Sequence, residues 1–174
     1  MKSSLPDCVT GIPINFANGV REHVRLGPKI YETVKGKLSL GARIVQRGGV
    51  KKIFKQLFRV SEREKLLKAS QCHLSTTAGP IAGLLFISTE KVAFCSDRSL
   101  TFSSPNGGFI RTPYKVVIPI KKIKRVEESE NAHKPKQKYI EIVTVDHFDF
   151  WFMGFVNYEK AFKFLRQAMN ISSQ

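Results

Sequence analysis

Residues 148–169 read FDFWFMGFVNYEKAFKFLRQAM, and the architecture turns on them. The first six residues alternate. Phe148, Phe150 and Phe152 fall on one side of an extended chain, and Asp149, Trp151 and Met153 on the other. After Gly154 the period changes. Tyr158, Phe162, Leu165 and Met169 recur at spacings of four, three and four, with Lys160, Lys163 and Arg166 elsewhere, and Asn157 stands where a helix needs a cap. A strand therefore leads into an amphipathic helix whose apolar stripe must cover something.

Upstream, Lys65–Leu74, Gly83–Ser88, Val92–Ser96, Tyr114–Ile120 and Tyr139–Val145 are rich in Val, Ile, Phe and Tyr and are separated by turn residues. Thr89-Glu90-Lys91 and Asp146-His147 are tight connections. Ser104–Gly108 and Asn131–Lys138 read as loops. Regularly spaced short strands predict an antiparallel sandwich or barrel from about Glu64 to Met153, mainly β with α. The final helix, about Tyr158–Met169, closes its open end, which is a PH-like architecture. Phe94, Phe150, Phe152, Phe162 and Leu165 are the expected core.

The N-terminal third differs. Residues 1–20 hold Pro6, Gly11, Pro13 and Gly19 with little periodicity and read as a mobile leader. The spacing of Ile30, Val34, Leu38 and Ala42 predicts a helix over Pro28–Arg47, ended by Gly48-Gly49. A second helix, Val50–Phe58, is basic and amphipathic: Ile53, Phe54 and Leu57 on one face, Lys51, Lys52, Lys55 and Arg59 on the other. Such a helix either docks on its own domain or lies in a membrane interface, and docking is the expectation here.

The chain has 174 residues, one domain's worth, and a net charge of +15. Residues 1–60 hold 12 Lys/Arg against 3 Asp/Glu, so most of the excess lies there. This excess points to an anionic partner. Three cysteines, Cys8, Cys72 and Cys95, without CxxC spacing, argue against a disulfide framework or a Cys-rich zinc site and for a reducing compartment. No secretory signal follows the N-terminus, and the longest apolar run, Ala78–Ile87, is too short for a spanning helix. We expect a cytoplasmic protein peripheral to membranes, with the nucleus as the alternative.

Enzyme constellations are missing. There is no GxSxG elbow or Walker loop, and Gly79–Gly83 lacks dinucleotide spacing. His23, His73, His133 and His147 are scattered without metal-ligand partners, and Glu127, Glu128 and Glu130 read as a solvated acidic loop. No catalytic residue, metal or cofactor is expected.

Two basic features remain. One is the helix face of Lys51, Lys52 and Lys55. The other is Lys121-Lys122-Ile123-Lys124-Arg125, where Ile120, Ile123 and Val126 recur every three residues. That spacing predicts a single-turn segment whose apolar side holds the domain while Lys121, Lys122, Lys124 and Arg125 project outward as one patch. Lys91, Arg98, Arg111 and Lys115, at strand ends, are further cations that loops could gather around a phosphate. Anionic lipid is the first expected partner. A protein docked on a sheet edge or in the helix groove is the second. Nucleic acid ranks last, because the patches contain no recognition-helix motif and the aromatic residues of 148–152 read as core.

The run GLLFIS at 83–88, VAFCS at 92–96 and IPIKKI at 118–123 resembles a GRAM domain. From Gly27 to Ala168 the chain is similar to the plant GEM-like, or ABA-responsive, GRAM proteins. The match is carried by LSLGARIVQRGGVKKIFKQLF, KLLKASQCHLSTTAGPIAGLLFISTEKVAFCSDRS, KYIEIVTVDHFDFWFMGF and NYEKAF. The resemblance implies two near-orthogonal sheets closed by a C-terminal helix. It also implies binding of phosphoinositide or another anionic lipid, or adaptor-type protein binding in plant signalling or development. Members of that family commonly carry a longer, Pro-rich leader than the one before Val20. The expected division is a leader over 1–24, a basic helical segment over 25–53, the GRAM core over 54–131, the remaining strands and capping helix over 132–170, and a tail over 171–174.

Overall fold

The computed structural model describes residues 49–103, 105–131 and 134–172. The leader and the helix expected over Pro28–Arg47 lie outside these residues. Helix α1 (Val50–Leu57) comes first, followed by β1 (Leu66–Thr76), β2 (Gly79–Ser88), β3 (Lys91–Ser103) and β4 (Phe109–Pro119). A 3-10 turn (Ile120–Lys122) leads into β5 (Ile123–Asn131), β6 (Lys134–Thr144), β7 (Asp149–Met153) and helix α2 (Tyr158–Ser172). All strand pairs are antiparallel, in the order β4-β3-β2-β1-β7-β6-β5. Among the described residues the two halves of the sheet are joined by the short β1–β7 pairing, His73↔Met153 and Leu74↔Phe152.

The halves fold over one core. Leu85, Ile87, Phe94, Val116 and Ile118 from one half meet Ile140, Ile142 and Phe152 from the other, and α2 closes the opening with Ala161, Leu165 and Ala168. This is the expected PH-like arrangement. Asn157 caps α2 by accepting the Lys160 N–H at 3.0 Å, and its carbonyl takes the Ala161 N–H.

The first half of the sheet is covered on both faces. Leu85 and Ile87 face the shared core, whereas Leu84 and Phe86 face away into a second cluster with Ile53, Phe54 and Phe58 of the α1 segment. This double burial is why residues 84–87 form an unbroken apolar run instead of alternating. Phe54 stacks on Phe86 with centroids 5.4 Å apart. The α1 segment thus docks on the sheet, as its pattern predicts, and α1 runs through residue 53 without a break. Gly83 lets the strands close up: a Cβ there would lie 2.3 Å from the Cys95 carbonyl oxygen.

Several expectations need correction. Phe94, Phe152 and Leu165 are buried, but Phe150 and Phe162 are only half-buried. Phe162 sits at the rim, stacked on Tyr158 at 6.1 Å with the Arg166 guanidinium over its ring. Residues 123–131 form strand β5, so Glu127, Glu128 and Glu130 belong to a strand and not to a loop. Charge hid this strand, because β5 is a sheet edge, where charged side chains discourage pairing with another chain. The loop expected at Asn131–Lys138 shrinks to a tight hairpin closed by the pair Asn131↔Lys134. β3 and β4 extend well past their expected ends, pairing as far as Ser103↔Phe109.

Candidate basic surface

Lys51, Lys52 and Lys55 all lie exposed on α1, which has no acidic residue in its sequence VKKIFKQL. Two other lysines hold this helix in place. Lys115, on β4, donates to the Leu57 carbonyl at 3.1 Å and lies over the Phe58 ring. Lys91, on β3, donates to the Arg59 carbonyl and lies over the Phe54 ring. Lys115, meeting the last carbonyl of the helix, also meets the negative end of its dipole, while Lys91 holds the chain just beyond it.

Lys91 has a second task. Its ammonium lies 2.8 Å from Glu64, whose side chain is wholly buried while that of Lys91 is 14% exposed. The other Glu64 oxygen accepts from the Ser88 hydroxyl at 2.5 Å. Lys91 and Lys115 are therefore structural. Of the four strand-end cations, only Arg98 and Arg111 stand exposed.

The 121–125 run is built as its spacing predicts at the start and departs from it at the end. Ile120 and Ile123 are buried and anchor the 3-10 turn, so Lys121 is exposed and Lys122 is half-exposed. Lys124 occupies an irregularity in the β5–β6 register, between the pairs Ile123↔Thr144 and Arg125↔Val143, and is exposed. Arg125 is on the strand proper and faces carboxylates, with Glu127 at 3.4 Å and Glu141 at 3.7 Å. Desolvation raises the Glu141 carboxyl above its ordinary value, and Arg125 opposes that rise. Asp146 is held below its ordinary value, chiefly by a hydrogen bond from Thr144 and in part by Lys122. Acidic neighbours thus offset Arg125 and Lys122, which leaves Lys121 and Lys124 as the more open cations of the run. The run lies where β4 passes to the β5 edge, whereas α1 covers the outer face of β1–β4.

At the start of α2, Lys138 bridges Glu159 at 3.0 Å and Glu128 at 3.8 Å and lies over the Tyr158 ring. Tyr158 donates to the Tyr139 carbonyl at 3.1 Å. Desolvation, with help from Glu128, raises the Tyr158 phenol. The Cys72 and Cys95 thiols are likewise raised, chiefly by burial. Among the described residues no three His, Cys, Asp or Glu side chains gather as metal ligands, and no helix is long and apolar enough to cross a membrane. Several large apolar side chains outside the sequence-based candidates stand exposed, Val145 and Val156 singly, and Phe109 at 81% and Ile110 at 53% as an adjacent pair.

Comparison with known proteins agrees with this architecture. The GRAM domain family model matches residues 52–173. The chain is 63% identical over 158 residues to putative GEM-like protein 8 of Arabidopsis thaliana, covering 91% of this chain and 72% of that protein. It is 64% identical over 157 residues to GEM-like protein 4 of the same plant, covering 90% and 71%. A crystal structure of the C-terminal domain of an unknown protein from Leishmania infantum superposes with a TM-score of 0.51 at 19% identity, covering 68% of this chain and 93% of that one, which is a likeness of fold. A sheet folded over one core and closed by a C-terminal helix, a family model spanning that whole unit and relatives at this identity together place the chain in the GRAM domain family, among the GEM-like proteins.

Proposed function

We propose that this protein is a non-enzymatic module that attaches reversibly to anionic membrane surfaces, phosphoinositide-bearing ones included, at the cytoplasmic side of a plant cell. The observation that carries this reading is the helix α1. Its apolar face is consumed by the sheet, and its three lysines, Lys51, Lys52 and Lys55, project to solvent with no acid beside them in the helix. Lys121 and Lys124 form a second contact, with Lys122 and Arg125 at its margin. Each cation near an anionic bilayer contributes about 1 kcal/mol, so three or four acting together give weak, reversible attachment.

The adaptor reading is less well supported. Its simplest form adds a strand to a sheet edge, but edge strand β5 is charged along KRVEESEN and edge strand β4 carries Pro113 and Pro119. Both features hinder strand addition.

Flotation with phosphatidylcholine vesicles, with and without phosphatidylserine or a phosphoinositide, tests the proposal. We expect recovery only with anionic vesicles. The variant Lys51→Glu/Lys52→Glu/Lys55→Glu should keep its fold, because exposed charges contribute little to stability. Its vesicle affinity should fall at least about tenfold, and that of Lys121→Glu/Lys122→Glu by a smaller factor. Equal recovery with neutral and anionic vesicles overturns the reading.

A further inference from the structure

We propose that the tip of the β3–β4 hairpin, Phe109 with Ile110, is an apolar wedge that enters the hydrocarbon boundary of the same anionic bilayer, with Arg98 and Arg111 seated among the headgroups. The inference rests on the membrane-binding reading above and adds to it a contact that charge alone does not supply.

Three observations carry it. First, the hairpin outruns the core. Its proximal pairs, Val92↔Ile118 to Phe94↔Val116, place buried side chains on both strands, whereas the described side chains of the distal pairs, Ser99↔Pro113 to Ser103↔Phe109, are exposed or half-exposed. The register shifts between Cys95 and Ser99 and then resumes as far as the last pair. The tip is therefore presented by a paired hairpin, and because its outer backbone groups are unpaired it reaches the headgroup–acyl boundary and not the hydrocarbon centre. Second, the two large apolar residues at its end stand in water at 81% and 53% exposure. They follow Gly107-Gly108 and contribute to neither core cluster. Third, residues 98–115, the outer part of the hairpin, contain three Lys/Arg and no Asp or Glu. A protein groove could accept the apolar tip, but an acid-free hairpin with Arg98 and Arg111 exposed behind it matches an anionic bilayer, which offers hydrocarbon and negative charge in the same layer.

Alternation along β4 places the adjacent Phe109 and Ile110 on opposite faces of the hairpin, so the two side chains flank its end on both sides.

Two measurements test the wedge. The variant Phe109→Ser/Ile110→Ser should melt as the wild type does, since neither side chain is packed. It should bind phosphatidylserine-containing vesicles about tenfold or more weakly, and what remains should vanish in high salt, whereas wild-type binding should persist in part. In Phe109→Trp, the added indole emission should shift to the blue on vesicle binding and be quenched by lipids brominated along their acyl chains. Wild type and double variant binding anionic vesicles equally, with no quenching at position 109, overturns the wedge, leaves electrostatic attachment standing and assigns the exposed tip to a protein partner. Absence of wild-type binding to any anionic vesicle overturns the membrane reading itself, and the wedge with it.

Discussion

Lys91 shows how little a residue's type says about its task. In sequence it is one more cation at a strand end, interchangeable with Arg98 or Arg111 as a phosphate ligand. In the fold it neutralises Glu64, 27 positions away, beneath a helix that itself lies over 30 residues upstream. No local pattern encodes that pairing, so sequence reading could not separate structural lysines from available ones. The distinction is measurable. Replacing Lys91 by Ala leaves the Glu64 carboxylate with the Ser88 hydroxyl and a long bond from the Ser61 N–H at 3.4 Å, in a site with no solvent access. Removing one partner of a buried pair costs about 3–5 kcal/mol, whereas removing both charges costs far less. In urea denaturation Lys91→Ala should lose roughly that amount, and Lys91→Met/Glu64→Leu should recover most of it. A Lys91→Ala protein as stable as the wild type would show that the carboxylate is relieved by another route.

Among the elements, the two helices were legible because each has an apolar stripe at helical spacing, and β7 because its aromatic residues alternate. Strand β5 was not legible. Its sequence, IKRVEESEN, follows neither a clean alternation nor an apolar run, since an edge strand needs only Ile123 and Val126 to hold the core while the rest meets water. The same asymmetry applies to α2, where periodicity names the stripe but not the depth of each member. Leu165 lies at the centre of the closure and Phe162 at its rim. The larger ring is therefore the less costly loss. Leu165→Ala should destabilise by about 2–5 kcal/mol, the range for an aliphatic core truncation. Phe162→Ala should fall below the roughly 3–5 kcal/mol of a fully buried aromatic, because part of its surface already meets solvent. Chemical denaturation of the two variants side by side decides the order, and a greater loss for Phe162→Ala would place the rim ring inside the core.

For the whole molecule, the same charges act in opposite senses on folding and on attachment. Residues 49–172 hold 21 Lys/Arg and 11 Asp/Glu, so the folded domain repels itself, and exposed ion pairs such as those of Arg125 and Lys138 compensate only locally. A domain of about this size shifts its melting temperature by roughly 2–8 °C per kcal/mol. Raising salt from a dilute buffer to physiological strength shortens the screening length from about 30 Å to about 8 Å, which relieves repulsion spread over the whole surface. It leaves the Lys91–Glu64 pair untouched, because that pair is shielded from the ions. The melting temperature should therefore rise with salt by a few degrees while vesicle binding falls over the same interval. Opposite trends in one titration would tie both effects to the unneutralised lysines. A melting temperature that drops with salt would mean instead that surface ion pairs outweigh self-repulsion, and that the lysines of α1 and of the 121–125 run are already neutralised within the protein.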